Sequence, residues 1–212
     1  MLFSEKTKLN KILPRAKFMK MIGLSTSART ELQNNVERLI LANILNTSTT
    51  NFAKGKTVEE IDVLEFLLKT KEISDKLIKE IDSSMPKHIL FVFKYENKIQ
   101  LAVSYKENTS TENRYKVVKI YRTEWKKANE INLEIKGLNL DNVFNNFITQ
   151  IADGEIETNE DVDIKQAVET SIDKEKLQRK IDLLKNKIRK EKQFNKQLIL
   201  KNELKTLVEQ VN

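Results

Sequence analysis

HILFVFKY at 88–95 and KIQLAVSYK at 98–106 are two β-rich runs with only Glu96 and Asn97 between them. That spacing predicts two antiparallel strands joined by a two-residue turn. Working upstream, VEEIDVLEFLLK at 58–69 places Ile61, Val63, Glu65 and Leu67 in alternation with Asp62, Leu64, Phe66 and Leu68, a strand buried on at least one face. Ser74 then precedes DKLIKEI, a capped amphipathic helix that has to stop before Pro86. A strand, helix, strand order results. Downstream, 115–122 and 132–136 add strands, and Leu140, Val143, Phe144, Phe147, Ile148 and Ile151 form one helical apolar face ending near Gly154.

Near the start, Pro14 opens and Gly23 closes a short basic helix over 15–22. Ser25 or Ser27 can cap the next helix. There Ala28, Leu32, Val36, Leu39, Ile40 and Ile44 recur at helical spacing, which predicts helix as far as Leu45, followed by an extended or loop stretch to Thr50. The body is therefore expected to be α+β, a mixed or antiparallel sheet with packed helices.

A chain of 212 residues suits one domain with an appendage. It has no Cys, which removes disulfides and thiolate metal sites, and His88 as its one histidine removes every mechanism needing two imidazoles. The opening MLFSEKTKLNKILP is basic without a signal-type apolar stretch, and no segment reaches the ~20 apolar residues of a membrane span, so a cytoplasmic, membrane-free location is expected. The formal charge of +7 is unevenly spread. Residues 1–29 carry seven Lys/Arg against Glu5, residues 173–212 carry twelve against six acids, and the middle is net acidic, with Asp153, Glu155, Glu157, Glu160, Asp161 and Asp163 in one stretch. Four segments follow: a basic N-terminal segment with a short helix at 1–24, a globular α+β domain at 25–152, an acidic linker at 153–163, and a basic coiled-coil arm at 164–212.

In the arm, Leu177, Ile181, Leu184 and Ile188 keep the four-three spacing of a coiled-coil seam, and a second seam, Leu200, Leu204, Leu207 and Val211, starts out of phase with it. The break around Gln193, Phe194 and Asn195 means either a stutter in one long helix or a bend that folds two helices back on each other. Phe194 is then a docking tip or a core residue sealing the bend.

Candidate chemistry is sparse. Glu134 and Lys136 have the E-x-K spacing of a metal-dependent nuclease strand, which also needs an upstream carboxylate such as Asp82 or Glu124. The same pair also fits a solvated strand face. Glu59, Glu60, Asp62 and Glu65 divide between two strand faces, which argues against a cation site. His88 has no Asp or Ser partner at motif spacing, and the four glycines form no phosphate-cradling loop. No metal or cofactor is expected. Basic residues Lys6, Lys8, Lys11, Arg15, Lys17 and Lys20 at one end, and Lys185, Lys187, Arg189 and Lys190 at the other, could track phosphates, but stacking aromatics are nearly lacking beside them.

VEEIDVLEFLLK at 58–69, IDSSMPKHILFVFKYENKIQLAVSYK at 81–106, IYRTEW at 120–125 and KEKQFNKQLILKNELKTL at 190–207 together resemble the bacterial family described as domain of unknown function 4391. The resemblance implies a setting and no catalytic residue: proteins accompanying helicase-type ATPases and DNA methyltransferases in restriction and antiphage defence loci. The chain is accordingly read as a non-enzymatic accessory subunit that packs its Leu/Ile seams on such a partner, reaches DNA through the complex, and is compatible with a homodimer. A Mg-dependent nuclease using Glu134 and Lys136, and an autonomous sequence-independent DNA binder, stand as alternatives.

Overall fold

The computed structural model describes residues 3–109, 114–156 and 163–209. Its elements run β1 (Lys8–Ile12), α1 (Arg15–Ile22), α2 (Thr26–Asn35), β2 (Val36–Leu45), β3 (Ile61–Leu68), α3 (Asp75–Ser84), β4 (His88–Tyr95), β5 (Lys98–Asn108), β6 (Tyr115–Arg122), β7 (Lys126–Lys127), α4 (Leu140–Ala152), α5 (Ile164–Lys190) and α6 (Phe194–Glu209). The sheet order is β1-β2-β3-β4-β5-β6, with β7 paired to β5. All neighbours are antiparallel except β3 and β4, which α3 connects as a crossover. The mixed α+β class expected from the sequence is observed.

Local chemistry explains the starts and stops. Glu96 adopts φ +50° to close the β4–β5 turn, where Tyr95 faces Lys98. Gly23 ends α1 at φ +66°. Ser25 and Ser74 cap α2 and α3 by accepting from the amides of Ala28 and Leu77. The two helices also cap each other. Glu31 of α2 accepts from the Ser74 amide and hydroxyl, both at 2.6 Å, and Glu80 of α3 accepts from the Ser25 amide and hydroxyl at 2.8 and 2.7 Å.

One sheet face carries α1, α2 and α3 over a core of Phe18, Leu32, Leu39, Phe66, Ile78 and Phe91, among others. Successive strand residues point to opposite faces, so His88 lies opposite the core residue Ile89. It meets Phe144 of α4 edge-on with ring centroids 4.7 Å apart, which places α4 on the other face.

Two expectations need correction. The helix expected to reach Leu45 stops at Asn35, and Val36–Leu45 is a strand. Bulges between Val36 and Arg38 and between Leu41 and Asn43 insert extra residues. The buried positions of β2 therefore fall at Val36, Leu39, Ala42 and Leu45, a three-residue spacing that imitates a helix. The 132–136 stretch is not a strand. It lies outside the sheet without regular secondary structure, tied to α4 by Gln150, whose Oε1 accepts from the Glu134 amide and whose Nε2 donates to the Glu134 carbonyl, both at 2.8 Å. Edge strands β1 and β7 had no sequence signal of their own.

The chain divides into two compact units, 1–154 and 155–212. In the second, the helix is interrupted at 191–193, and α5 and α6 pack on each other. The linker residues Glu157, Glu160 and Asp161, and the seam residue Val211, lie outside the described residues.

Candidate functional site

Four ionisable residues of the sheet unit, Asp62, Asp82, His88 and Lys106, are buried. Lys106, near the end of β5, has a side chain with no exposure. Its Nζ donates to Asp82 Oδ1 at 2.7 Å, the Lys87 carbonyl at 2.7 Å and the Asp82 carbonyl at 3.2 Å, and lies 4.3 Å from the Tyr115 ring centroid. Two of those acceptors belong to the last turn of α3, so a cation meets the negative end of the helix dipole as well as a carboxylate. Burial lifts the Asp82 carboxyl above its ordinary range against the opposing charge and hydrogen bond of Lys106. Burial, and then Glu60, push Asp62 up to about 6, and its Oδ1 has no hydrogen-bond partner. Burial, and then Lys106, push His88 down to about 3, so its imidazole is neutral at physiological pH. This cluster braces the fold.

Glu134 and Lys136, the E-x-K pair, form an ion pair on the surface, 49% and 70% exposed. Asp82, offered as the upstream carboxylate, is committed to Lys106. Of the four acids at 59–65, Glu59 pairs with Lys54, Glu60 accepts from Asn46, Glu65 pairs with Lys94, and Asp62 is buried. Among the described residues, no group of three or more His, Asp or Glu is placed to hold a metal ion. Arg15 of the N-terminal basic segment caps α2 by donating to the Gln33 carbonyl at 3.2 Å.

The helical unit presents the opposite pattern. Ile181 and Leu184 are buried, as are Ala167, Val168 and Ser171 earlier in α5, and Leu177, Ile188, Leu200, Leu204 and Leu207 are half-buried. Phe194, at the break, is 74% exposed and so does not seal the bend. Ile199 and Leu198 on the next turn of α6 are 65% and 50% exposed. A groove at the corner has Ile199 and Leu200 in its lining, with Lys187, Lys190, Lys196 and Glu191 around them. Lys185, Lys187, Arg189 and Lys190 are all exposed. An apolar knob of this kind among cations can take an apolar contact and an acidic one together.

Two features depend on the tertiary fold rather than on local sequence. Lys106 resembles any strand-end lysine, because its burial depends on α3 lying over it. Glu65 and Lys94 interrupt the two apolar central strands, a visible signal whose meaning appears only once β3 and β4 are neighbours.

Among the described residues, no helix is long and apolar enough to cross a membrane. No curated protein and no solved structure matches the chain. One family profile, Domain of unknown function (DUF4391), matches residues 3–211, nearly the whole length. With the quoted strand and helix motifs lying in order inside that match, the chain belongs to the DUF4391 family.

Proposed function

We propose that the chain is a non-enzymatic accessory subunit of a cytoplasmic, DNA-directed bacterial defence system, docking onto a helicase-type ATPase or a DNA methyltransferase through the corner of its C-terminal helical pair. The observation that carries this reading is the exposure of Phe194, with Leu198 and Ile199 beside it, in a lysine-rimmed setting. Leaving a large aromatic in water forgoes the gain of burying it, and aromatic anchors of this kind dominate interface energetics. The kind of partner and the defence setting come from the family resemblance. The coiled-coil seams hold α5 and α6 together as a rigid support, and the cations around the corner favour an acidic rim on the partner.

In the sheet unit, Glu134 pairs with Lys136 and Asp82 with Lys106. A second reading, direct and sequence-independent DNA contact, is favoured by the run of exposed Lys185, Lys187, Arg189 and Lys190. The test is a pull-down of the full chain from nuclease-treated native lysate, beside the variant F194D/I199D. Retention of a helicase-type ATPase or DNA methyltransferase by the wild type and its loss in the variant is expected. Equal retention by both proteins overturns docking at the corner, and salt-sensitive DNA binding without any retained protein favours the second reading.

A further inference from the structure

On the sheet face opposite α1, α2 and α3, the two central strands carry a charged pair where apolar residues are the rule. Glu65 of β3 and Lys94 of β4 form an ion pair at 2.8 Å, 23% and 35% exposed. Neighbouring parallel strands are normally covered on both faces and read as continuous apolar runs, as IDVLEFLL and HILFVFKY otherwise do. A partly desolvated ion pair is also a poor source of stability, since apolar residues in its place are commonly neutral or better. Its position is explained by what lies around it. Glu65 and Lys94 help to line a concavity of about 350 Å³ whose apolar lining includes Val63, Val92 and Ile99. Lys8, Asn10 and Asn43 supply further polar groups. Asn10 sits at φ +52° within the irregularity of β1 between Lys8 and Lys11, a left-handed conformation that Asn tolerates.

We propose that this concavity binds one nucleoside monophosphate, either free or at the end of a nucleic-acid strand, with its phosphate on Lys94 and Lys8 and its base edge on Asn10, Asn43 and Glu65. The size falls at the lower end of the range for small-molecule sites, and the lining has the usual mix of an apolar floor with a few polar groups. Lys94 spends one of its three donors on Glu65. Lys8 is 3.3 Å from Glu5, an exposed pair that a phosphate displaces at little cost. Asn43 Nδ2 already donates to Thr7 Oγ1 at 2.8 Å, so Asn43 offers its carbonyl oxygen, and together with the Asn10 amide and the Glu65 carboxylate it matches a base edge, with the sugar and ring on the apolar floor. Nothing in this site depends on the C-terminal helices, so it stands or falls apart from the docking reading.

The test is a nitrogen-proton correlation titration of the full chain with AMP, GMP, CMP and UMP, with inorganic phosphate as control. A 5′-phosphorylated dinucleotide separates the two sources. Saturable shifts at the amides of Val63, Glu65, Val92 and Ile99 are expected with at least one nucleotide and not with phosphate alone. Lys94→Met and, separately, Lys8→Met should each weaken binding about ten-fold or more, as loss of a charge-assisted hydrogen bond does. Lys98→Met, outside the lining, should leave it unchanged. Tighter binding of the dinucleotide assigns the site to a strand end, and equal binding assigns it to the free nucleotide. Three outcomes overturn the proposal: no saturable shift at roughly millimolar ligand, shifts with inorganic phosphate alone, or shifts that persist in both lysine variants.

Discussion

Lys106→Met is the substitution with the largest expected effect on the fold. The ammonium is fully buried and serves Asp82 Oδ1, the Asp82 carbonyl and the Lys87 carbonyl at once. Removing it leaves a buried carboxylate without its cation, which costs about 3–5 kcal/mol, a large share of the ~5–15 kcal/mol that holds a domain folded. Replacing both partners, Lys106→Met with Asp82→Leu, removes the stranded charge but not the loss at the backbone carbonyls, each worth about 1 kcal/mol. The double variant is therefore expected to recover most of the loss and to remain about 1–3 kcal/mol below wild type. Trp125, the one tryptophan, packs against the core cluster and reports unfolding in urea. Acidification should partly rescue the single variant, because a buried Asp82 freed of Lys106 can be neutralised by a proton. A cost below about 1 kcal/mol for Lys106→Met, or a double variant no better than the single one, would refute the structural role assigned to this pair.

Other consequences can be checked on the same protein. His88 binds its proton at about 3 when folded and at about 6.5 when unfolded, so its contribution is complete above pH 6.5 and is lost as pH falls toward 3. Asp62 has the opposite sign: its folded value of about 6 exceeds its ordinary 3.8, so stability rises on acidification between those values. Each proton is worth up to about 1.4 kcal/mol per pH unit. Urea midpoints from pH 4 to 6 should therefore turn upward on acidification in His88→Phe and fall more steeply in Asp62→Asn than in wild type, and unchanged slopes would contradict the burial described. Ser74→Ala and Ser25→Ala should each cost about 1 kcal/mol, with strong coupling to Glu31→Ala and Glu80→Ala respectively in double-mutant cycles. Gly55→Ala should destabilise, because a Cβ there falls 2.4 Å from Asp141 Oδ1, the oxygen that accepts from the Thr57 and Val58 amides. A thermal midpoint equal to wild type would show that the loop yields without loss.

The parts of the fold legible in the sequence were those set by nearest neighbours. The β4–β5 turn needed only two residues between alternating runs, α1 needed Gly23 after its apolar positions, and α3 announced itself through Ser74. Val36–Leu45 resembles a helix in sequence because its bulges convert a two-residue period into the spacing of 36, 39, 42 and 45. Only pairing with β3 across the intervening loop distinguishes that strand from a helix. The helix-forming character of the arm was legible in its composition, and α5 and α6 are observed there. Neither the burial of Lys106 nor the Glu65–Lys94 concavity was legible, since each depends on elements distant in sequence meeting over the sheet.

The most direct test of docking at the helical corner is site-specific photo-crosslinking in native cells. A photoreactive phenylalanine analogue at position 194 is compared with the same group at Leu138, which is 88% exposed on the sheet unit. The account predicts that position 194 yields an adduct with a helicase-type ATPase or DNA methyltransferase and that position 138 does not. Equal adducts from both positions, or none from 194 where the intact chain retains that partner, would contradict it.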